Sequence, residues 1–351
     1  MKNVLSLKRA SGNAADGIDN FNQAVFGRME SGEVSFWTEG IITERGAIKK
    51  LVETPAAFVR HHRADMLWGN GSVRDMPLVI AARLLGKKSP YVINFHTMLF
   101  RGGADAPWKV STPWFLRKFI FNRANRIICP SAASAKSVKD LFPKKDVIGI
   151  LNGVDPTLFA SGKKDEKYLS EKYGIDFSQP VVSFVGSFHK RKRPDLFISL
   201  AKMTPGANFV AVGRVIPEFD ALGAAEGVKN FHWVPAMSRE DVAVFLASSA
   251  AFVFPSLHDA SAAVILEAMA CGAVPIVSAS GGSGEFFHDG VSGFQIPNRE
   301  GETDLFAEKL AMLLRDEAFR GKISQAARAE AGRHSWDTVA QQYEHALSEL
   351  F

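Results

Sequence analysis

The sequence has 351 residues, of which 46% are hydrophobic and 23% are charged. This is the composition of a globular protein, and it excludes wholesale disorder and fibrous repeats. At roughly 100–200 residues per domain, the length predicts two domains. The net charge of +5 is unevenly distributed: residues 1–160 hold 23 basic and 13 acidic side chains, and the remainder holds 19 and 24. The basic first part indicates either an anionic partner or an ordinary solvated surface.

Short apolar segments rich in β-branched residues alternate with helix-length patterns along nearly the whole chain. The predicted strands, in chain order, are Val4–Leu7, Val34–Trp37, Met66–Trp68, Tyr91–Phe95, Arg126–Cys129, Val147–Leu151, Val181–Val185, Asn208–Val212, Phe231–Val234, Ala251–Phe254, Val274–Ser278 and Phe294–Ile296. The predicted helices between them include Asn20–Met29, Pro77–Leu85, Ser131–Leu141, Pro194–Met203, Arg239–Ser249 and Ala262–Ala270. Continuously apolar strands are buried on both faces, so the pattern predicts an α/β fold of parallel sheets covered by helices.

One polar segment, Asp155–Gln179, interrupts the alternation and predicts a linker with a short helix. We therefore predict two Rossmann-like, doubly wound domains, residues 1–160 and 161–335, that face a central cleft. Open parallel sheets bind ligands beyond the carboxyl ends of their strands. The tail from Leu305 onward is predicted to be helical, with Trp336 and Tyr343 as apolar anchors.

The cysteines and the apolar segments bear on where the protein works. Cys129 and Cys271 lie in apolar surroundings and predict buried free thiols, not a disulfide framework or a zinc site. The first apolar stretch stops at Lys8–Arg9, and no apolar run reaches the ~20 residues that span a bilayer. A cytoplasmic protein is expected, either free or peripheral at the cytoplasmic membrane face.

The most informative segment runs from Phe254 to Gly272 and contains two carboxylates. Asp259 precedes a predicted helix, and Glu267 lies among apolar residues of that helix. A carboxylate in such surroundings needs hydrogen-bond donors, which sugar or ribose hydroxyls can supply. The simpler alternative is that Asp259 caps the helix and Glu267 faces solvent. The amides at the helix N-terminus can bind a phosphate, and they belong to Ser261, Ala262 and Ala263.

Two further turns between a strand and a helix carry polar residues. In one, Gly186 and Ser187 precede the four cations Lys190–Arg193, which suit a diphosphate, a nucleic acid or solvent. In the other, Gly281–Glu285 offers a close backbone approach and a carboxylate for a ribose or sugar. No GxGxxG follows any strand, which argues against a dinucleotide-dependent dehydrogenase.

In the first half, Asp16 and Gly17 open a predicted helix, and His96 follows a predicted strand. Farther along, aromatic and basic residues are mixed. This mixture fits a helix at a membrane interface or a core helix with a basic outer face, and stacking on nucleic acid is the third reading. The residues that we assign to an acceptor or membrane surface are Trp108, Lys109, Trp114, Arg117 and Lys118.

Taken together, these motifs resemble those of the retaining GT-B glycosyltransferases of glycosyltransferase family 4. Asp259 and Glu267 resemble the family's Glu-x7-Glu pair, with Asp as the first acid. The other matching segments, in chain order, are Asn152–Asp155 with Asn-Gly-Val-Asp, Arg191–Lys192 with the diphosphate-binding loop, Pro255–Ser256 with Pro-Ser, Glu267–Gly272 with Glu-Ala-Met-Ala-x-Gly, Gly281–Glu285 with Gly-Gly-x-x-Glu, and Ser335–Trp336 with the Ser-Trp before the last helix.

The resemblance implies a GT-B fold in which residues 1–160 bind the acceptor and residues 161–335 bind the donor. A helix at about 336–351 would cross back to the first domain. The implied donor is a nucleoside-diphosphate sugar of UDP or GDP type, with no other cofactor and no metal. The implied catalytic residues are His96, Arg191, Lys192 and Asp259. The implied donor-binding residues are Gly17, Gly186, Ser187, Arg191, Lys192, Asp259, Ser261, Ala262, Ala263, Glu267 and Glu285.

By the same resemblance, Glu267 binds the ribose, Asp259 and His96 lie near the sugar, and Arg191 with Lys192 stabilises the leaving diphosphate. The implied reaction is a retaining hexosyl transfer to a cell-envelope glycan, a lipopolysaccharide or a lipid-linked acceptor, with contact to an anionic membrane and no nucleic-acid partner. Three departures from the family pattern bear on activity: Asp16 for Gly, Ser187 for Arg and Asp259 for Glu.

Two other functions stay open at this point. One is a non-catalytic protein of the same fold that binds a sugar nucleotide or a nucleic acid. The other is a glycoside hydrolase that uses Asp259 and Glu267 as its carboxylate pair.

Overall fold

The computed structural model describes residues 2–10, 17–29, 34–42, 63–71, 76–84, 86, 88–98, 114–159, 164–215 and 223–351. The chain divides into two compact units, Met1–Asn152 with Trp336–Phe351, and Gly153–Ser335. Within the described residues each unit holds one parallel sheet with helices between its strands. The predicted α/β fold is confirmed.

The first unit has six described strands in the order β2-β1-β3-β4-β5-β6, and every neighbouring pair is parallel. The strands are β1 (Lys2–Ala10), β2 (Val34–Ile42), β3 (Met66–Gly69), β4 (Tyr91–Asn94), β5 (Arg126–Cys129) and β6 (Asp146–Gly149). The helices are α1 (Gly17–Met29), α2 (Met76–Leu84), α3 (Trp114–Arg123) and α4 (Ala132–Leu141). All residues of β3 and β4 are buried, as expected of strands that are covered on both faces.

The last helix, α11 (Trp336–Ser348), belongs to the first unit and shares a hydrophobic core with α1. Its C-terminal end is held by Arg126, whose guanidinium donates to Ala346 O at 2.5 Å and to Glu349 at 2.6 Å. Arg126 also donates to Asp146 at 2.7 Å. A cation at this end offsets the partial negative charge of the helix dipole. The predicted return of the last helix to the first domain is confirmed.

The second unit has six described strands in the order β12-β11-β10-β7-β8-β9. They are β7 (Val181–Val185), β8 (Asn208–Val212), β9 (Phe231–Val234), β10 (Ala251–Phe254), β11 (Val274–Ser278) and β12 (Phe294–Ile296). The helices are α5 (Glu166–Tyr173), α6 (Pro194–Met203), α7 (Arg239–Ala247), α8 (Ala263–Cys271), α9 (Glu302–Arg315) and α10 (Glu317–Ala331). Read from β9, this is the dinucleotide-fold order 3-2-1-4-5-6, in which the strand order reverses between β7 and β10. Ligands bind beyond the strand ends at such a point.

The second unit starts earlier than the predicted boundary after residue 160. Val154 N donates to His334 O at 2.8 Å, and Val154 forms a β-bridge with Ser335. Phe159 is buried, and the guanidinium of Arg239 lies 5.6 Å from the centre of its ring. Residues 153–159 therefore pack with the second unit. The polar segment after them contains α5, which is the predicted short helix.

Helix α5 is attached to α7 by a buried carboxylate. Asp241 accepts hydrogen bonds from Tyr168 Oη at 2.8 Å, Lys172 Nζ at 2.8 Å and Tyr173 Oη at 2.5 Å. Burial raises the pKa of Asp241, but the hydrogen bonds from Lys172 and the tyrosines outweigh it and hold the pKa well below its usual range. The carboxylate is therefore ionised at any pH where the protein functions, and it fixes the helix that begins this unit.

The change Asp241→Asn is expected to lower the free energy of unfolding at pH 7 by about 1–3 kcal/mol, because an amide cannot accept from all three donors. A carboxylate with a lowered native pKa stabilises the fold above its unfolded pKa of about 4, and this contribution is lost as the pH falls below that value. Urea unfolding at pH 7 and pH 3 should therefore show a difference that shrinks at low pH.

The matched control is Asp140→Asn, because Asp140 forms an exposed pair with Lys136 on α4. Exposed pairs contribute little, so this variant should unfold like the parent at both pH values. A loss of stability in Asp241→Asn that does not depend on pH would contradict the assignment of the charge.

Candidate active site

The candidate site of the second unit is built from the loops that follow β7, β10 and β11 at the carboxyl edge of the sheet. Leu257 N donates to Arg191 O at 2.9 Å, which joins the first loop to the second. Gly282 N donates to Asp259 O at 2.8 Å, which joins the second loop to the third. Segments far apart in sequence thus form one hydrogen-bonded surface at the reversal of strand order.

The four consecutive cations that follow β7 have different partners. Lys190 is exposed. Arg193 adopts a positive φ of 53° and forms an ion pair with Glu302 at 2.7 Å. Arg191 and Lys192 turn instead to the loop that follows β10. Two of the four cations therefore belong to the candidate site.

The carboxylate of Asp259 is bound by these two cations. Lys192 Nζ contacts Oδ2, and Arg191 Nη1 lies 3.3 Å from the same oxygen while donating to His258 O at 2.7 Å. The side chains of Lys192 and Asp259 are each 14% exposed, and Lys192 Nζ lies 4.3 Å from the centre of the Phe254 ring. Burial lowers the pKa of Lys192, and the Asp259 charge opposes that effect. Two cations and one carboxylate leave the cluster with a net positive charge.

Helix α8 starts beside this cluster, two residues later than the sequence predicts. Its N-cap is Ala262, and no side chain caps the helix. The alternative in which Asp259 caps the helix is therefore wrong, because the carboxylate is bound to the cations. The first turn, with the small residues Ser261 and Ala263 on either side of the cap, presents backbone amides to which an anion can bind.

Glu267 lies in α8 and is 19% exposed, with its Oε1 3.4 Å from Arg239 Nη2 of α7. Burial raises the pKa of Glu267 to about 6, and the charge of Arg239 lowers it in part. The alternative in which Glu267 simply faces solvent does not hold. Sequence reasoning missed Arg239, since it stands 28 residues before Glu267 and no local spacing connects the two.

Glu285 lies in the 3-10 turn Ser283–Phe286 after β11 and is half-buried. Gln295 Nε2 donates to Gly284 O at 2.9 Å and holds this turn. A Cβ at Gly284 would lie 2.3 Å from Gln295 Oε1, so a larger residue would displace the amide. The turn that carries Glu285 is fixed by the neighbouring strand.

The remaining predicted donor residues of this unit lie on the same edge. Gly186 N donates to Val212 O at 2.9 Å and continues the sheet one residue beyond β7. Ser187 follows it, half-buried. The structure thus brings Gly186, Ser187, Arg191, Lys192, Asp259 and the start of α8 onto adjoining loops.

In the first unit, His96 follows β4, and its Nε2 lies 2.8 Å from Asn94 Nδ2. The ring of Phe21 packs edge-on against the imidazole at 4.6 Å between centroids. Gly17 is the first residue of α1. Asp16, Trp108 and Lys109 lie outside the described residues.

The start of α3 presents aromatic and basic side chains. Trp114 is 47% exposed and Phe115 is 69% exposed, and Lys118 is exposed as well. Arg117 is half-buried, and burial lowers its pKa. In the described ranges no helix is both long enough and apolar enough to cross a bilayer, and no group of three or more His, Cys, Asp or Glu side chains is placed to hold a metal ion.

Two family models match the chain. Glycosyltransferase Family 4 matches residues 46–158, and Glycosyl transferases group 1 matches residues 165–330. The chain belongs to the group 1 glycosyltransferases. The resemblance of its motifs to this family is confirmed.

Curated relatives of this glycosyltransferase include two mycobacterial enzymes. Alpha-maltose-1-phosphate synthase of Mycolicibacterium smegmatis is 26% identical over 291 residues, which are 72% of this chain and 71% of that protein. D-inositol 3-phosphate glycosyltransferase of Mycobacterium tuberculosis is 26% identical over 248 residues, or 66% of this chain. The chain spans only about half of that second enzyme, 50% of its length.

Solved structures show the same fold over the whole glycosyltransferase. Sucrose-phosphate synthase of Thermosynechococcus elongatus has a TM-score of 0.81 at 17% identity, covering 100% of this chain and 99% of that one. Anabaena HepE in complex with UDP-glucose has a TM-score of 0.77 at 19% identity, covering 99% and 100%. The predicted GT-B fold is confirmed.

The placement of the cations gives a prediction for nucleotide binding by this glycosyltransferase. The change Lys192→Gln is expected to weaken binding of UDP or GDP by about tenfold to a hundredfold, the worth of one charge-assisted hydrogen bond. Isothermal titration with both nucleotides measures the effect.

The matched controls are Lys190→Gln and Arg193→Gln, which remove the same charge from adjacent positions that do not contact Asp259. Both should bind nucleotide within a few-fold of the parent. Equal losses in all three variants would mean that the charge of the run, not the position of Lys192, attracts the nucleotide.

Proposed function

We propose that this glycosyltransferase moves a hexose from a UDP- or GDP-sugar to its acceptor with retention of anomeric configuration and without a metal ion. The observation that carries the proposal is the cluster of Arg191, Lys192 and Asp259 beside the uncapped start of α8. A net positive cluster next to helix amides suits the phosphate oxygens of a diphosphate. The complex of HepE with UDP-glucose supports a donor of this class.

The cluster supplies the chemistry of the leaving group. When the glycosidic bond breaks, its electron pair goes to the diphosphate, and negative charge develops on the phosphate oxygens. Arg191 and Lys192 stabilise that charge, and they are already oriented by His258 O and Asp259 before the donor arrives. The diphosphate competes with Asp259 for the two cations, and the displaced carboxylate then accepts hydrogen bonds from the donor sugar.

The ribose is bound by Glu267, whose buried carboxylate is ionised at neutral pH but poorly satisfied by Arg239. Two ribose hydroxyls supply the hydrogen bonds that this carboxylate lacks. Glu285 offers a further acceptor on the third loop. No protein nucleophile is assigned, because retention follows from acceptor attack on the face that the diphosphate leaves.

The first unit is assigned to the acceptor, and His96 to the donor sugar, on the strength of the family resemblance. The proposed acceptor is a cell-envelope glycan, a lipopolysaccharide or a lipid-linked sugar, reached from the cytoplasmic membrane face. The exposed Trp114 and Phe115 beside Lys118 support this assignment, since aromatic and cationic side chains together favour an anionic lipid surface. Trp108 and Lys109 are part of the same proposal.

A transfer assay with UDP- and GDP-sugars and a panel of glycan and lipid-linked acceptors tests the reaction. Product should form only with a sugar nucleotide, keep the donor's anomeric configuration by NMR, and form equally in excess EDTA. Sugar release from a plain glycoside without any nucleotide would favour the hydrolase. Tight donor binding without transfer to any acceptor would favour the non-catalytic binder.

Membrane contact is tested by co-sedimentation with phosphatidylglycerol vesicles at low salt. The change Phe115→Ser should weaken binding by about tenfold, as expected for one aromatic side chain removed from the lipid interface. Val291→Ser is the matched control, since Val291 is 59% exposed on the second unit. No binding by the parent protein would remove the membrane contact and leave the transferase proposal standing.

A further inference from the structure

A buried chain of hydrogen bonds leads from the last helix to His96. The hydroxyl of Tyr343, on α11, donates to Asn94 Oδ1 at 3.0 Å. Asn94 Nδ2 lies 2.8 Å from His96 Nε2. Tyr343 is 1% exposed and Asn94 is 0% exposed. The reaction proposed above uses His96 and assigns nothing to the other two residues.

The chemistry of the amide sets the direction of this chain. Burial raises the pKa of Tyr343 well above its ordinary value, with a smaller contribution from Cys129, so the phenol keeps its proton. The amide oxygen of Asn94 accepts that proton, which leaves the amide nitrogen, a donor only, facing His96. A flipped amide would point its nitrogen at the phenol and leave a buried hydroxyl proton without the acceptor that the structure gives it.

His96 Nε2 is therefore an acceptor and carries no proton. A neutral imidazole that accepts at one nitrogen is protonated at the other, so His96 is the Nδ1–H tautomer. An imidazolium cannot form this chain, because both of its nitrogens are donors.

Aromatic packing holds both ends of the chain in place. The ring of Phe21 lies 4.6 Å from the His96 ring and 5.3 Å from the Tyr343 ring, edge-on to each. The end of α11 is fixed in turn by Arg126, which donates to Ala346 O. The phenol thus reaches His96 from a position 249 residues away from Asn94 in sequence.

We propose that Asn94 and Tyr343 are positioning residues that hold His96 as the neutral Nδ1–H tautomer, so that the ring serves the donor sugar as a hydrogen-bond donor. The inference rests on the proposed function in its last step alone, the contact of His96 with the sugar. The tautomer itself follows from the geometry of the first unit. The return of the last helix then has a chemical role beside its packing role.

Nitrogen-15 NMR of histidine-labelled protein tests the tautomer directly. The His96 signals are identified by their loss in His96→Gln. The parent should show Nδ1–H. Asn94→Asp should show Nε2–H, because a carboxylate accepts where the amide donates. Tyr343→Phe should show a mixture of both tautomers, because the amide is no longer oriented.

The matched control is Tyr173→Phe, which removes a phenol hydroxyl bonded to Asp241 in the other unit. It should leave the His96 signals unchanged. If Asn94→Asp does not fold, Tyr343→Phe carries the test, since it keeps the packed ring. Nε2–H in the parent, or unaltered His96 signals in Tyr343→Phe, would overturn the proposal whatever the activity.

Kinetics separate this inference from the proposed function. Tyr343→Phe should lower kcat about tenfold, roughly the worth of one oriented hydrogen bond, with the donor KM within about twofold of the parent. Tyr173→Phe should keep the parent's kcat. If the tautomers behave as expected but His96→Gln transfers sugar at the parental rate, the positioning role falls. The donor site and the transferase proposal would still stand.

Discussion

The ion cluster of Arg191, Lys192 and Asp259 is the constraint on which the candidate site depends. Two cations on adjacent residues repel each other, and Lys192 is almost entirely withdrawn from water. Without a counter-charge, burial at this position would strongly favour loss of its proton. Asp259 supplies the counter-charge, and its backbone joins the loop after β11. A single carboxylate thereby orders the cations and connects the loops in the ligand-free protein.

The departures from the family pattern gain a physical meaning in this cluster. An Asp in place of Glu has a shorter reach, and here it is met by Lys192 and Arg191. A Ser at position 187 leaves the loop with one cation fewer than many relatives have. The second unit, acidic overall, therefore attracts a diphosphate through two placed cations and a helix start. A net charge spread over a surface would be screened by salt within about 10 Å, whereas these partly buried charges are not.

Much of the fold could be predicted from the sequence, since strands buried on both faces are continuously apolar and stand apart from the helices between them. Helix α6 begins and ends where Pro194 and the apolar pattern predict. The start of α8 was misplaced, because Asp259 was read as a cap and is instead bound to distant cations. The boundary at residue 153 and the partners Arg239, Asn94 and Tyr343 depend on contacts between distant segments. Local spacing holds no signal for such contacts.

The buried carboxylates of the second unit differ in how fully the protein satisfies them. Asp241 receives three side-chain donors, its pKa falls, and no ligand is needed. Glu267 has one partly exposed arginine at 3.4 Å, and its pKa rises to about 6. A protein stabilises a structural charge with its own fixed donors, whereas an under-satisfied charge keeps free energy available for a ligand that brings donors. By this measure Asp241 holds the fold together, and Glu267 is prepared for hydroxyl groups that come from outside the chain.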